Sequence, residues 1–148
     1  ECLIDTEDIC HNDLLILCAT VLSHICQRFA NDQKPQTALQ IKSETHIPIR
    51  VITDILYRLK EVNLISENFS PTSDEVTYTP THDTNNITVG EMIARLESTP
   101  ASDFALLGFS HKKVWNHDIC NRVGSIREIY LNELKSINIK ELISYSEN

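Results

Sequence analysis

Glycine and positive charge are both scarce in this chain, and each shortage removes a class of function. Its three glycines, Gly90, Gly108 and Gly124, are scattered, so no glycine-rich loop can cradle phosphates and no nucleophile elbow is present. Lysine and arginine number 13 against 21 aspartates and glutamates, a net charge of -8. That balance argues against a protein whose main affinity is for phosphate backbones. The five cysteines, at 2, 10, 18, 26 and 120, form no CxxC pair and no disulfide framework. They read as reduced thiols in a cytoplasmic setting, with Cys18 and Cys26 as small core residues of a helix. The longest apolar run, residues 14–22, is well short of the ~20 residues that cross a bilayer. No pair of carboxylates stands with an acid-base partner, and no Asp, Glu or His cluster resembles a two-metal nuclease centre. The expectation is a non-enzyme without cofactor.

What is present is helical patterning around one hairpin. At 148 residues the chain fits one compact domain. A helix is expected from Asn12, its N-cap, to about Phe29, apolar nearly all round and therefore buried. After a polar break at residues 31–36, Thr37 and Gln40 match a capping box that opens a short helix to about Ser43. Pro48 then stands at the first position of a third helix. On it Ile49, Ile52, Leu56 and Leu59, widened by Val51 and Ile55, form the buried stripe. Arg50, Thr53, Asp54, Tyr57, Arg58 and Glu61 face outward. Alternation over residues 64–69 and 75–79, separated by "SPTSDE", makes a β-hairpin. The fold class is mostly α with a small hairpin wing: a lead-in (1–11), a winged helix-turn-helix (12–80) and a helical extension packed on it (81–148).

The extension carries sharp start signals. Thr88 with Glu91 makes a capping box and Ile87 with Met92 a hydrophobic staple; Asn138 with Glu141 and Ile137 with Leu142 repeat the arrangement. Between them Trp115, Ile119, Val123, Ile126, Tyr130 and Leu134 mark one side of a long helix, residues 112–136. Such a row most often packs on the body of its own chain. It also suits an isologous contact between two copies.

Two resemblances follow from these residues. The order of winged helix, "ITVGEMIARLES", Trp-led helix and "INIKELI" resembles winged-helix repressors of the iron–sulfur cluster regulator family. That resemblance implies a dimer through the long helix and DNA as ligand. The family's cluster is held by cysteines that this chain lacks between Glu97 and Val114, and thiolates are what hold such clusters. The segments "PIRVITDILYRLKEVNLISE", "YTPTHDTNNITVGEMI" and "NDLLILCATVLSHI" look like the cytoplasmic C-terminal extension of YihY/BrkB family membrane proteins of Bacteroidetes, long labelled ribonuclease BN. The implied setting is the cytoplasmic side of the bacterial inner membrane, beneath transmembrane helices that precede the domain. A chain opening at Glu1-Cys2, without methionine or signal segment, reads as part of such a longer protein.

Three candidate sites follow. Arg50, Thr53, Asp54, Tyr57 and Arg58 form the outward face for DNA or a partner. Residues 34–60 hold five basic side chains against two acids, but Asp54 can pair with Arg50 or Arg58 at helical spacing. The wing, residues 66–79, has three acids and no cation, which favours a protein partner over nucleic acid. Trp115, Ile119, Val123, Ile126 and Tyr130 form a candidate dimer helix. His117 and Cys120, with His111 near, fall short of a tetrahedral metal set and read as an exposed histidine and a core cysteine; His24 and Cys26 are weaker still.

Overall fold

Thr37 and Gln40 set the geometry of the domain's first turn. In the computed structural model, which describes residues 9–98 and 116–142, the Thr37 hydroxyl accepts from the Gln40 amide while the Gln40 side chain accepts from Thr37 N–H. This capping box opens α2 (Ala38–Thr45) after the long α1 (His11–Ala30). The expected Asn12 cap of α1 is not used: the helix starts at His11, and its N-cap, Cys10, offers no side-chain bond. Pro48 stands one place earlier than expected, as N-cap of α3 (Ile49–Glu61).

With so few glycines, the tight turns use other residues. Asp32 (φ 57°), His46 (φ 63°) and Asn63 (φ 62°) are all left-handed, a conformation that short polar side chains tolerate best. His46 closes α2 and makes the turn into α3, and Asn63 makes the turn from α3 into the hairpin. β1 (Ile65–Phe69) pairs antiparallel with β2 (Val76–Pro80), Ile65 opposite Pro80 and Phe69 opposite Val76. The mostly helical winged-helix class is thus observed.

The core lies between α1, α3, the hairpin base and α4 (Val89–Glu97). Val21, Leu22, Ile52, Ile55, Leu59, Leu64 and Met92 are fully enclosed there. Burying one such aliphatic side chain contributes about 1.5–3 kcal/mol. α1 is less uniformly buried than its composition suggests, since Ile16 and Phe29 lie half exposed. By length and apolarity alone α1 meets the requirement for crossing a bilayer, which the nine-residue run understated. Its inner face, Leu15, Cys18, Val21, Leu22, Ile25 and Cys26, is instead part of the protein core.

α5 (His117–Leu134) reaches the body at its C-terminal end, through Leu131 and Leu134. Gly90 makes that approach possible. A Cβ there would stand 2.6 Å from the Leu131 carbonyl oxygen and 2.7 Å from the Lys135 nitrogen. The chain then forms a short antiparallel bridge, Thr88 with Asn138, in which Val89 N–H donates to Ile137 O and Ile139 N–H to Ile87 O. The helix expected to open at Asn138 is a single 3-10 turn, Ile139–Glu141. Ile139 is fully buried, and the Gln27 side-chain amide of α1 donates to Leu142 O. Start signals of this kind fix where a helix begins, not how far it runs. At α4 the Thr88 hydroxyl accepts from Glu91 N–H as expected, but the Glu91 carboxylate pairs with Arg95 rather than closing the box.

Candidate recognition face and pairing helix

α3 displays Arg50, Thr53, Tyr57, Arg58 and Glu61 to solvent, with Asp54 half buried. Asp54 Oδ2 takes the Arg58 Nε at 2.8 Å, an exposed pair one turn apart. Lys60 reaches Glu67 of β1 at 3.5 Å and lies 5.7 Å from the Tyr57 ring centroid. Two of the face's cations therefore already have carboxylate partners. Exposed pairs of this kind contribute under about 1 kcal/mol each, so either could exchange its partner for a phosphate at small cost. The wing opposes such an exchange: Glu67, Asp74 and Glu75 belong to it, and no Lys or Arg occurs between Lys60 and Arg95.

A polar strut holds the wing in place. Gln36, buried beside α1, accepts from the His24 ring at 2.7 Å and donates to Glu44 of α2 at 3.0 Å. Its carbonyl accepts from the Tyr78 amide of β2 at 3.2 Å. Arg28 donates twice to the Lys34 carbonyl beside it. Partial burial, and then the charge of Glu67 across the ladder, raise the Tyr78 phenol above its ordinary range. It stays a neutral hydroxyl. None of these contacts was readable from the sequence, because their partners lie on separate elements.

The candidate dimer row sits where two copies could reach it. Trp115 lies outside the described residues, but Ile119 is 60% exposed, Val123 58%, Ile126 68% and Tyr130 44%, and Ile129 adds 65%. Such a row most often packs on its own body, but among the described residues none of these side chains joins the core. Leu131 and Leu134, at the C-terminal end of the helix, make that contact instead, so the expected row divides into an exposed part, Ile119 to Tyr130, and a packed end at Leu134. The spacing of 119, 123, 126 and 130 alternates four and three, the same spacing that the seam of two paired helices uses.

One carboxylate ties the outer part of α5 to the body. Glu97, the last residue of α4, meets the His11 ring of α1 through Oε2 and the Arg127 guanidinium of α5 through Oε1. Burial raises the Glu97 pKa, but the hydrogen bonds and charges of His11 and Arg127 outweigh it and hold the carboxyl below its usual range. Arg127 lies on the inner side of α5 between Ile126 and Tyr130, so this node sets how the apolar row is presented.

Of the candidate metal set, His111 lies outside the described residues; among the described residues no three His, Cys, Asp or Glu side chains converge. Cys120 is exposed rather than a core residue, as is His117. Cys18 and Cys26 are buried, and desolvation pushes both thiols up to about 12; they remain protonated and inert.

The same arrangement of helices and wing occurs in solved bacterial regulators. T. potens IscR matches with 15% identity and a TM-score of 0.60 over 90% of this chain and 85% of that one. Bacillus subtilis CymR, the global cysteine regulator of that organism, matches with 15% identity and a TM-score of 0.58 over 95% and 98%. Staphylococcus aureus CymR gives 15% and 0.56 over 92% and 99%. At such identities the likeness is one of fold. No family model matches the sequence, and no curated protein matches it. The likeness to iron–sulfur regulators is thereby seen at the level of structure, whereas the YihY/BrkB resemblance has no counterpart among these matches.

Proposed function

We propose that this chain forms a non-catalytic, homodimeric winged-helix regulator, paired through α5 and using the α3 face as its output surface. The observation that carries the reading is the Ile119-Val123-Ile126-Tyr130 row, which no described residue covers, on a helix whose C-terminal end is anchored to the body. A two-fold contact along it places two α3 faces in fixed relation, which is what a dimer reading two half-sites of a duplex requires. Duplex DNA is the ligand that the likeness to transcription regulators favours. Arg50, Thr53, Tyr57 and Arg58 would make the contacts, with Asp54 releasing Arg58 on docking.

The charge of the wing favours a second reading, in which the same dimer binds a protein, as a cytoplasmic module beneath the membrane helices of a YihY/BrkB-type protein would. One titration separates the two. A labelled mixed-sequence duplex is followed by fluorescence anisotropy at about 50 and about 200 mM salt, where counterion release makes cationic binding steeply salt-dependent. The DNA reading expects saturable binding at the lower salt that Arg50→Ala with Arg58→Ala weakens. No binding at the lower salt refutes it and leaves the protein-contact reading.

A further inference from the structure

The two edges of the wing are treated differently. Leu64 with Thr81 begins the ladder, the Thr81 amide donating to Leu64 O. By alternation, Ser66 and Asn68 bond across to β2 while Glu67 and Phe69 turn their amides and carbonyls outward. On the outer side of β2, Gln36 bridges Tyr78 and Pro80 has no amide to offer. β1 has no such cover: the sheet has two strands, and among the described residues no backbone bond reaches Glu67 or Phe69 from outside it. Folded proteins usually protect an open edge with lysine, proline or a bulge. This one has none of these, and its one charged side chain, Glu67, is taken by Lys60.

The surroundings indicate what fits there. Phe69 is 72% exposed at the outer end of the edge, a large apolar surface that the described residues leave open. Asp74 and Glu75 stand exposed at the adjoining tip, in a stretch without lysine or arginine from Glu61 to Ala94. A phosphate backbone is repelled there, and so is a second copy of this acidic strand. A basic peptide is attracted.

We propose that the open edge of β1 takes up an extended, lysine- or arginine-rich segment of a partner protein as a third strand. Main-chain bonds to Glu67 and Phe69 supply its register, the Phe69 ring its apolar anchor, and Asp74 and Glu75 its charge selection. The site is separate from the α3 face, and a regulator can use both at once.

The test uses the full chain and a synthetic capped peptide alternating lysine and valine, with a glutamate-valine peptide as control. Amide exchange of Glu67 and Phe69 is followed by NMR, and affinity by calorimetry. The proposal expects the basic peptide alone to slow exchange at both amides by at least about tenfold. It expects Phe69→Pro to weaken binding about tenfold or more while leaving the Leu64-to-Thr81 ladder intact, as judged by its amides. Glu75→Lys keeps the edge and reverses the charge at its tip, and it is expected to weaken binding at low salt only. Undiminished affinity in Phe69→Pro with the ladder intact, protection confined to other surfaces, or equal protection by the glutamate peptide or a short DNA duplex overturns the proposal. Because no DNA is needed for the main measurement, its failure is distinguishable from failure of the α3 reading.

Discussion

Gly90 and Gly124 allow one substitution to be tried in two surroundings with opposite expected results. At Gly90 an added Cβ meets two backbone atoms, the Leu131 oxygen at 2.6 Å and the Lys135 nitrogen at 2.7 Å, and neither can rotate away as a side-chain tip would. Overfilling a packed contact costs about 1–3 kcal/mol, and rigid backbone on the far side places Gly90→Ala near 3. Against this, alanine gains up to about 1 kcal/mol over glycine in a helix, so the net loss is about 2 kcal/mol. For a chain of this size that lowers the melting temperature by roughly 6 °C. At Gly124, on α5, an added Cβ meets nothing within 4 Å. Gly124→Ala therefore raises stability by about 1 kcal/mol, or roughly 3 °C. Thermal and urea unfolding followed by circular dichroism, at one fixed protein concentration, reads both. If Gly90→Ala is neutral, or the two variants move together, the close crossing of α4 and α5 is not as described.

Other surroundings give equally direct expectations. Because the Glu97 carboxyl is held below its ordinary pKa, its contribution is complete above the unfolded value, near 4.3, and is lost as pH falls through the lower folded one. Glu97→Gln should therefore flatten the acid limb of a stability-against-pH curve and lower stability at neutral pH by about 1–3 kcal/mol; a curve parallel to the wild type refutes the node. His46→Gly should stabilise by about 1 kcal/mol, since the left-handed residue that closes α2 then carries no Cβ penalty, and urea midpoints will show whether it does. Cys18 and Cys26 should resist alkylation in the folded protein while Cys10 and Cys120 react, with the labelled sites assigned by mass spectrometry of the digested protein. Rapid labelling of Cys18 would contradict its place in the core.

Local signals were legible in the sequence and distant ones were not. The Thr37-Gln40 box, the α3 stripe and the polar turn of the hairpin each depend on residues within a few positions, and each appears where the pattern placed it. The side of α5 that faces solvent was ambiguous for a physical reason. Periodicity says that a face is apolar, not whether its cover comes from the same chain. Ile119 and Leu131 look alike in a sequence, and only the crossing at Gly90 assigns Leu131 to the body and leaves Ile119 outside. The Glu97 node joins residues 86 positions apart, and the Gln36 strut joins three elements, so no spacing rule could reveal them. The single turn at Ile139–Glu141 shows the complementary error, a strong start signal followed by little helix.

The account depends most on what covers the outer face of α5, and mass by light scattering across protein concentration measures it directly. Burying Val123 and Ile126 contributes about 2 kcal/mol per copy, counted twice in a two-fold pair, so Val123→Asp with Ile126→Asp should weaken association by about a thousandfold or more. The account predicts a dimer of the unmodified chain at micromolar concentration and a folded monomer of the variant. An unmodified chain that stays monomeric at concentrations of about 100 μM, or a variant that remains dimeric, contradicts it.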